Sequence, residues 1–306
     1  MTSPFGPLVL IANPRAGRGK VDAALPQVER VLRDEGLDYR IVRTTHPGHA
    51  TEAARHALRN GERFLVAVGG DGTVHEVVNG MIRNGTPIAP DAVLAVVAAG
   101  SGCDFVRTFG LPGDAELAAR RLASGRVRVI DVGTVTCTDG DAERTRYFVN
   151  IAEAGLGGAV VARTARLGRF LGAARYASGF ALTLPGFRSA PVRLDADGHA
   201  FGWRAFNVVV ANCRFYGGGM QISPKSDPGD GLLDVLVMTG PKSDAFATLP
   251  KVYRGTHLPH RNIAELRAGR IRLDSDRPFP VEADGEVVGT TPVSFGIIPG
   301  AIRLKV

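Results

Sequence analysis

The sequence predicts an α/β N-terminal domain on a parallel sheet, followed by an antiparallel, β-rich C-terminal domain. Up to residue 130, short apolar and β-branched runs alternate with helical patterns, the texture of parallel strands covered on both faces. Beyond Asp131, strand-like runs follow one another across Asp-Gly turns. The length of 306 residues exceeds one typical core and favours two domains.

In the first part, strands are expected over 8–12, 39–43, 64–68, 93–97 and 126–130, with helices around 21–35, 50–59, 73–81 and 114–123. In the second, strands over 191–195 and 200–211 flank Asp197-Gly198, a strand over 232–238 follows Asp230-Gly231, and strands over 281–283 and 287–289 flank Asp284-Gly285. Helical patterns there are confined to 160–184 and 243–254. No repeat or low-complexity linker marks the boundary, so the domains 1–131 and 132–300 rest on the change of pattern.

Between the strand ending at Val68 and the helix over 73–81 stands Gly69-Gly70-Asp71-Gly72-Thr73, continued by Val74 to Gly80. Strand, glycine-rich loop and helix in that order bring backbone N–H groups and a positive helix end to a phosphate. A carboxylate such as Asp71 suits such a loop when a cation sits beside it or when it takes a proton, and both uses belong to phosphoryl transfer. A glycine turn with a capping Asp is the plainer reading, but two glycines before the Asp and one after exceed what a cap needs. The earlier Asn13-Pro14-Arg15-Ala16-Gly17-Arg18-Gly19-Lys20-Val21 is neither of two better-known phosphate loops. Pro14 and Val21 stand where a Walker loop needs Gly and Ser or Thr, and Asp22 where a dinucleotide fingerprint needs its third glycine. A basic turn remains, whose Arg15, Arg18 and Lys20 either meet phosphate or are solvated.

These residues resemble the lipid kinases with a diacylglycerol kinase catalytic domain, a family that includes soluble bacterial diacylglycerol kinases and sphingosine and ceramide kinases. The likeness runs nearly end to end: Asn13-Pro14 with Gly17 and Gly19, Gly69 to Gly80, Gly100-Ser101-Gly102-Cys103-Asp104-Phe105 with Arg107, Asp131-Val132-Gly133, Phe148-Val149-Asn150, Tyr216 to Met220, Asp230 to Val235, and Asp284-Gly285-Glu286. The third motif departs from the family pattern at Ala98, Ser101, Cys103 and Val106; Cys103 replaces an Asn whose amide both donates and accepts.

The resemblance implies an ATP- and Mg²⁺-dependent transfer of the γ-phosphoryl group to a lipid hydroxyl, most simply diacylglycerol giving phosphatidate, in a cleft between an NAD kinase-like and diacylglycerol kinase-like α/β domain and the β domain. It implies nucleotide contacts from Asn13, Gly17, Gly69, Gly70, Gly72, Thr73, Gly100, Ser101 and Gly102. Asp71 and Asp104 are expected in catalysis, with Asp284 as an alternative base supported by Glu286. Metal ligation is expected from Asp71, Asp104, Asp131 and Asp230, and a return of the strand 301–306 to the first domain. From the residues alone, the plainer alternative for Asp104 is an N-cap and for Asp131 a turn residue ending its strand, while Asp230 with Asp234 is offered either as a structural cation site of the β domain or, more plainly, as ordinary turn and strand residues. An NAD or sugar kinase shares the Gly-Gly-Asp-Gly loop, and a non-catalytic lipid- or nucleotide-binding module is the reading Cys103 would favour.

Three widely spaced cysteines, Cys103, Cys137 and Cys213, argue for a reducing, cytoplasmic compartment. The N-terminus lacks a signal-peptide pattern, and no apolar run reaches the ~20 residues a membrane span requires. The net charge of +7 fits nucleotide phosphates or anionic lipid and, with the resemblance, points to a lipid alcohol and the inner face of a membrane rather than to nucleic acid. Arg163, Arg166, Arg169 and Arg175 interleaved with Val160, Leu167, Phe170, Leu171, Tyr176 and Phe180 read as an interfacial element or as a core helix with a basic face. The seven histidines show no metal spacing; His75 is expected on the exposed side of its helix and His257 in a loop. Oligomeric state is open, a homodimer included.

Overall fold

The runs Leu8–Ala12 (β1), Phe64–Gly69 (β3) and Val93–Ala98 contain only residues that tolerate complete burial, and all three lie buried along their whole length. In the computed structural model, which describes residues 3–99, 103–139, 142–166 and 174–306, they are neighbouring parallel strands. Tyr39–Arg43 (β2) pairs in parallel with β1 on its other side, and Arg303 and Leu304 of the last strand pair in parallel with Val93 and Leu94. The chain divides into two units, residues 1–132 with 298–306, and residues 133–297.

The first unit is this α/β sheet. Lys20–Asp34 (α1) is amphipathic: Val21, Leu25, Val28, Val31 and Leu32 are buried in one core with Leu8, Leu10, Phe64 and Val66. His49–Arg59 (α2) and Asp71–Met81 (α3) pack closely because of Gly80, where a Cβ would stand 2.7 Å from that of Ala54. The chain order matters for function. From β1 it passes to β2 on one side and then to β3 on the other, so the sheet reverses direction at β1 and leaves a crevice at its carboxyl edge.

The second unit is antiparallel. One six-stranded sheet runs Ile263–Ala268, Leu233–Met238, Asn207–Ala211, Ile151–Gly155, Pro280–Ala283, Glu286–Thr290. The other contains His199–Ala205, Ala190–Ala196 and Arg270–Ser275, joined by the first residues of Val293–Lys305. Ala152, Val208, Val210 and Val235 from the first share a core with Val192, Leu194, Ile271 and Leu273 from the second. The opposite face of the six-stranded sheet carries Ile151, Val209 and Leu236, which pack with Met220, Ile222 and Val252.

Three expectations need correction. The run over 200–211 is two strands: the chain changes sheet at Phe206, whose N–H goes to the Met238 carbonyl. Asp131 does not end a strand but lies within Val127–Asp139, because the pattern past residue 130 still suits pairing, with Ala142–Phe148. The region 160–184 contains Leu156–Arg166 and Ala174–Thr183; its expected basic and apolar side chains at 166–171, 175 and 176 lie outside the described residues.

Candidate active site

At the reversal point of the first sheet, three loops leave the carboxyl ends of β1, β3 and Val93–Ala98. The Asn13 N–H reaches the Val68 carbonyl and its Oδ1 accepts from the Arg15 N–H at 3.1 Å; the Ala99 N–H reaches the Gly69 carbonyl. Gly17 (φ 60°) and Gly19 (φ 86°) supply left-handed backbone in the first loop, and Arg15, Arg18 and Lys20 are exposed there. Gly100, Ser101 and Gly102 lie outside the described residues.

The motif glycines divide by role. None of Gly69, Gly70 and Gly72 has a positive φ, so a left-handed bend is not why they are glycine. Gly69 carries no side chain because the buried Thr73 folds back against it. Among the described residues beyond their own helix and chain neighbours, no atom stands within 4 Å of where a Cβ of Gly70 or Gly72 would be, and Gly70 is extended at φ −106°. Neither packing against the described residues nor conformation asks for glycine at these two positions. They open α3, whose N-terminus carries no side-chain cap and so presents its first amides outward.

Asp71 does not cap its own helix. Its Oδ2 accepts from the Asp104 N–H and its Oδ1 from the Phe105 N–H, both at 2.9 Å, and the Cys103 thiol donates to Oδ1 at 3.4 Å. It thereby holds the start of Asp104–Thr108, taking the capping role that Asp104 was offered. Burial pushes the Asp71 carboxyl up against the pull of those amides, and the nearby charge of Asp104 adds to the rise. Burial, and then the charge of Asp71, push the Cys103 thiol well up, which leaves it protonated and unreactive at neutral pH. Asp104 is buried, with Arg107 Nε 3.9 Å from its Oδ1. Two carboxylates side by side in a buried setting suit a cation. Among the described residues no group of three metal-ligating side chains exists.

The other expected ligands are elsewhere. Asp131 accepts from the Gly300 N–H at 2.7 Å, where the final strand returns. Asp230 belongs to the second unit, where it and Asp234 pair with Arg267, a guanidinium in the place of the structural cation that pair was offered. Glu76 braces α2 by accepting from the Ala50 N–H at 3.0 Å. His75 is buried rather than exposed, since α2 and β3 cover α3, and the Asn79 amide lies over its backbone carbonyl and ring.

Also in the second unit, Asp284 (φ 49°) and Gly285 (φ 87°) form a left-handed hairpin turn, as do Asp197 and Gly198. Asp284 receives the N–H groups of Val149, Asn150 and Ile151 at 2.8, 3.0 and 3.1 Å. Asp197 holds the N–H groups of Gly269 and Arg270 in the same way, so both aspartates pin a neighbouring strand. Glu286 is exposed.

A cavity of about 330 Å³ lies on the outer face of the six-stranded sheet, with Leu156, Val160, Met220, Ile222, Met238 and Val252 in its wall. Of its polar members, sequence reasoning missed Glu153 and Asn207 and placed His257 only in a loop. The available signal was an acid at the centre of the apolar run 148–156, a position where charge is seldom tolerated. His257 is buried, its Nε2 bonded to the Ile222 carbonyl at 3.0 Å, and burial lowers its pKa.

Comparison with known proteins fits this arrangement. The family model described as the diacylglycerol kinase catalytic domain matches residues 7–135, and that described as the YegS C-terminal NAD kinase beta sandwich-like domain matches residues 150–306. The chain belongs to the diacylglycerol kinase and YegS-like lipid kinase family. The diacylglycerol kinase of Bacillus subtilis (strain 168) is 30% identical over 293 residues, covering 94% of this chain and 91% of its own. The crystal structure of a diacylglycerol kinase from Bacillus anthracis str. Sterne has a TM-score of 0.74 at 25% identity and covers 99% of this chain and 97% of its own. Yeast NADH kinase complexed with NADH has a TM-score of 0.53 at 11% identity, with 97% and 82% covered, which relates this lipid kinase family member to it by fold alone.

Proposed function

We propose that the protein is an ATP-dependent lipid kinase that transfers the γ-phosphoryl group to a lipid hydroxyl, with diacylglycerol as the acceptor and phosphatidate as the product. The observation that carries this is the opening of α3, where Gly70 and Gly72 keep space that no described residue beyond their neighbours fills, beside the buried carboxylates of Asp71 and Asp104. The N–H groups at that helix end hold the nucleotide phosphates, helped by the exposed cations of the Gly17 loop. Asp104 would hold Mg²⁺ together with the phosphates, and the ion offsets their charge when bound, which leaves Asp71 free of the metal. Asp71, made more basic by burial, takes the acceptor proton as the phosphoryl group moves in line. Asp284 then serves to fix the turn and the Val149–Ile151 segment rather than as the base. The acceptor is drawn from the inner face of a membrane, to which the net charge of +7 attracts the protein.

Labelled ATP offered with diacylglycerol in mixed micelles, and in parallel with other lipid alcohols, NAD and sugars, tests the reading. Label is expected in phosphatidate. Transfer to NAD or a sugar with none to lipid would overturn it, as would ATP binding without transfer to any acceptor.

A further inference from the structure

The strand His199–Ala205 ends its sheet: it pairs with Ala190–Ala196 on one side and, among the described residues, with no strand on the other. Which of its backbone groups are open follows from the register. The hairpin turns on two residues, Asp197 and Gly198, and the pairing runs unbroken from Ala196 opposite His199 to Ala190 opposite Ala205. In a two-residue hairpin the pair that closes the turn is hydrogen-bonded, and hydrogen-bonded and open pairs then alternate. His199, Phe201, Trp203 and Ala205 therefore turn their N–H and C=O groups to the neighbouring strand, whereas Ala200, Gly202 and Arg204 turn theirs outward. The Asp276 N–H bonded to the Pro191 carbonyl at 3.1 Å agrees, because it shows Pro191, opposite Arg204, facing the strand beyond.

The side chains alternate as well. Phe201 and Trp203 stand opposite Leu194 and Val192 on the core face, with their rings stacked at 5.4 Å and 11°. Trp203 packs against the core, but Phe201 remains 36% exposed at its rim. An edge strand with open amides and an exposed aromatic is a template for another strand unless Lys, Pro or a bulge guards it. From His199 to Ala205 there is neither Lys nor Pro, the register has no bulge, and Arg204 is the single permanent charge. Arg193, beside Gly202, is already matched by Asp274 and Asp276, each at 2.9 Å.

We propose that this edge pairs antiparallel with the same strand of a second copy of the chain, about a two-fold axis at Gly202. The register centred there brings all three outward residues into hydrogen-bonded pairs, Gly202 with its own copy and Ala200 with Arg204. It sets Phe201 directly across from Trp203 of the partner subunit, at the closer, open spacing where aromatic pairs contribute most. Opposite charges also come into line. Asp195 lies opposite Ala200, so Arg204 of the partner subunit reaches over that small side chain to Asp195. A second copy thus answers the edge amides, the exposed ring and the charge together, by symmetry alone. The pairing is independent of the acceptor and of the nucleotide site.

Sedimentation of the full chain over a concentration series, with amide hydrogen exchange read on the 199–205 segment, tests it. Wild type is expected to be a dimer at micromolar concentration, and dilution to monomer should speed exchange at 200, 202 and 204 by about tenfold or more. Gly202→Pro removes the central outward N–H, and Pro is tolerated on an edge, so a folded monomer is expected. Phe201→Lys, which keeps every backbone group, should raise the dimer dissociation constant about tenfold or more. Gly202→Cys should give a disulfide-linked dimer under mild oxidation, since the axis brings the two copies of residue 202 to about 5.5 Å between Cα atoms. The native cysteines are buried and would not compete. A monomeric wild type would overturn the assignment. So would a dimer that survives both Gly202→Pro and Phe201→Lys with exchange at 200–204 unaffected by dilution, which would place the contact elsewhere.

Discussion

At Asp71 one side chain does two jobs that a single substitution cannot separate. Asn is close in shape, but one of its two terminal atoms is an N–H donor, so either the Asp104 or the Phe105 amide would face another donor. Asp71→Asn is therefore expected to lower stability by about 1–3 kcal/mol, the cost of a buried unsatisfied donor. It should also reduce phosphoryl transfer by at least ~10²-fold, the scale of lost proton transfer. Chemical denaturation and labelled-ATP turnover measure the two separately, and wild-type turnover in the folded variant would remove Asp71 from the chemistry. Cys103→Asn is expected to preserve or raise activity, because the amide replaces the thiol as a donor to Asp71 Oδ1 with a stronger hydrogen bond. Iodoacetamide at neutral pH should label native Cys103 far more slowly than the unfolded chain, since burial and Asp71 keep the thiol protonated.

At the level of the strand–loop–helix element, the glycines of one motif should respond oppositely to the same change. Gly80→Ala pushes a methyl into Thr51 and Ala54 of α2 and should cost about 1–3 kcal/mol of stability, the usual penalty of overpacking. Gly70→Ala meets no described residue beyond its neighbours and no forbidden φ, so the melting temperature should hold. Its methyl enters the space assigned to phosphate, and the Kd for ATP should rise roughly tenfold, a loss of about 1.4 kcal/mol. A thermal shift series with ATP titrations on both variants checks the pair. Equal ATP response in Gly70→Ala and wild type would show that the space is not a nucleotide site.

At the scale of the whole molecule, two of the buried ionisable groups among the described residues, Lys305 and Glu153, make stability depend on pH in opposite senses. Lys305, buried and bonded to Ser124 Oγ and the Val306 carbonyl, has its pKa lowered to about 8 from an ordinary 10.5. Between those values the unfolded chain holds a proton the folded one has released, so stability rises with pH; Lys305→Met should flatten that rise. Glu153 behaves conversely. Its pKa is raised from 4.5 to about 7, the folded chain holds the extra proton between them, and stability falls as pH rises through that window unless Glu153 is changed to Gln. Urea denaturation from pH 4.5 to 10.5 on the three proteins reads both slopes. The net charge of +7 leads to vesicle binding that is electrostatic, strong on anionic lipid and weakened by salt. Sedimentation over a salt series checks this; equal binding to neutral vesicles at all salt concentrations would exclude it.

The alternation of buried runs and amphipathic helices in the first 130 residues is local, and it determined the parallel sheet because burial on two faces leaves no other arrangement for such strands. The order of strand, Gly69-Gly70-Asp71-Gly72 and helix likewise determined the phosphate-sized loop. Which glycine serves packing and which serves a ligand was not legible, because it depends on what stands within 4 Å: Thr73 at Gly69, α2 at Gly80 and, beyond its neighbours, no described residue at Gly70. The same limit applied to the acids. The motif offered Asp284 as an alternative base but not the three amides from residues 149–151 that it accepts, and nothing local marked Glu153, which Asn207 and the cavity wall surround. A carboxyl's chemistry is set by its desolvation and its hydrogen-bond donors, and here folding supplies those donors from more than fifty residues away, beyond the reach of any local pattern.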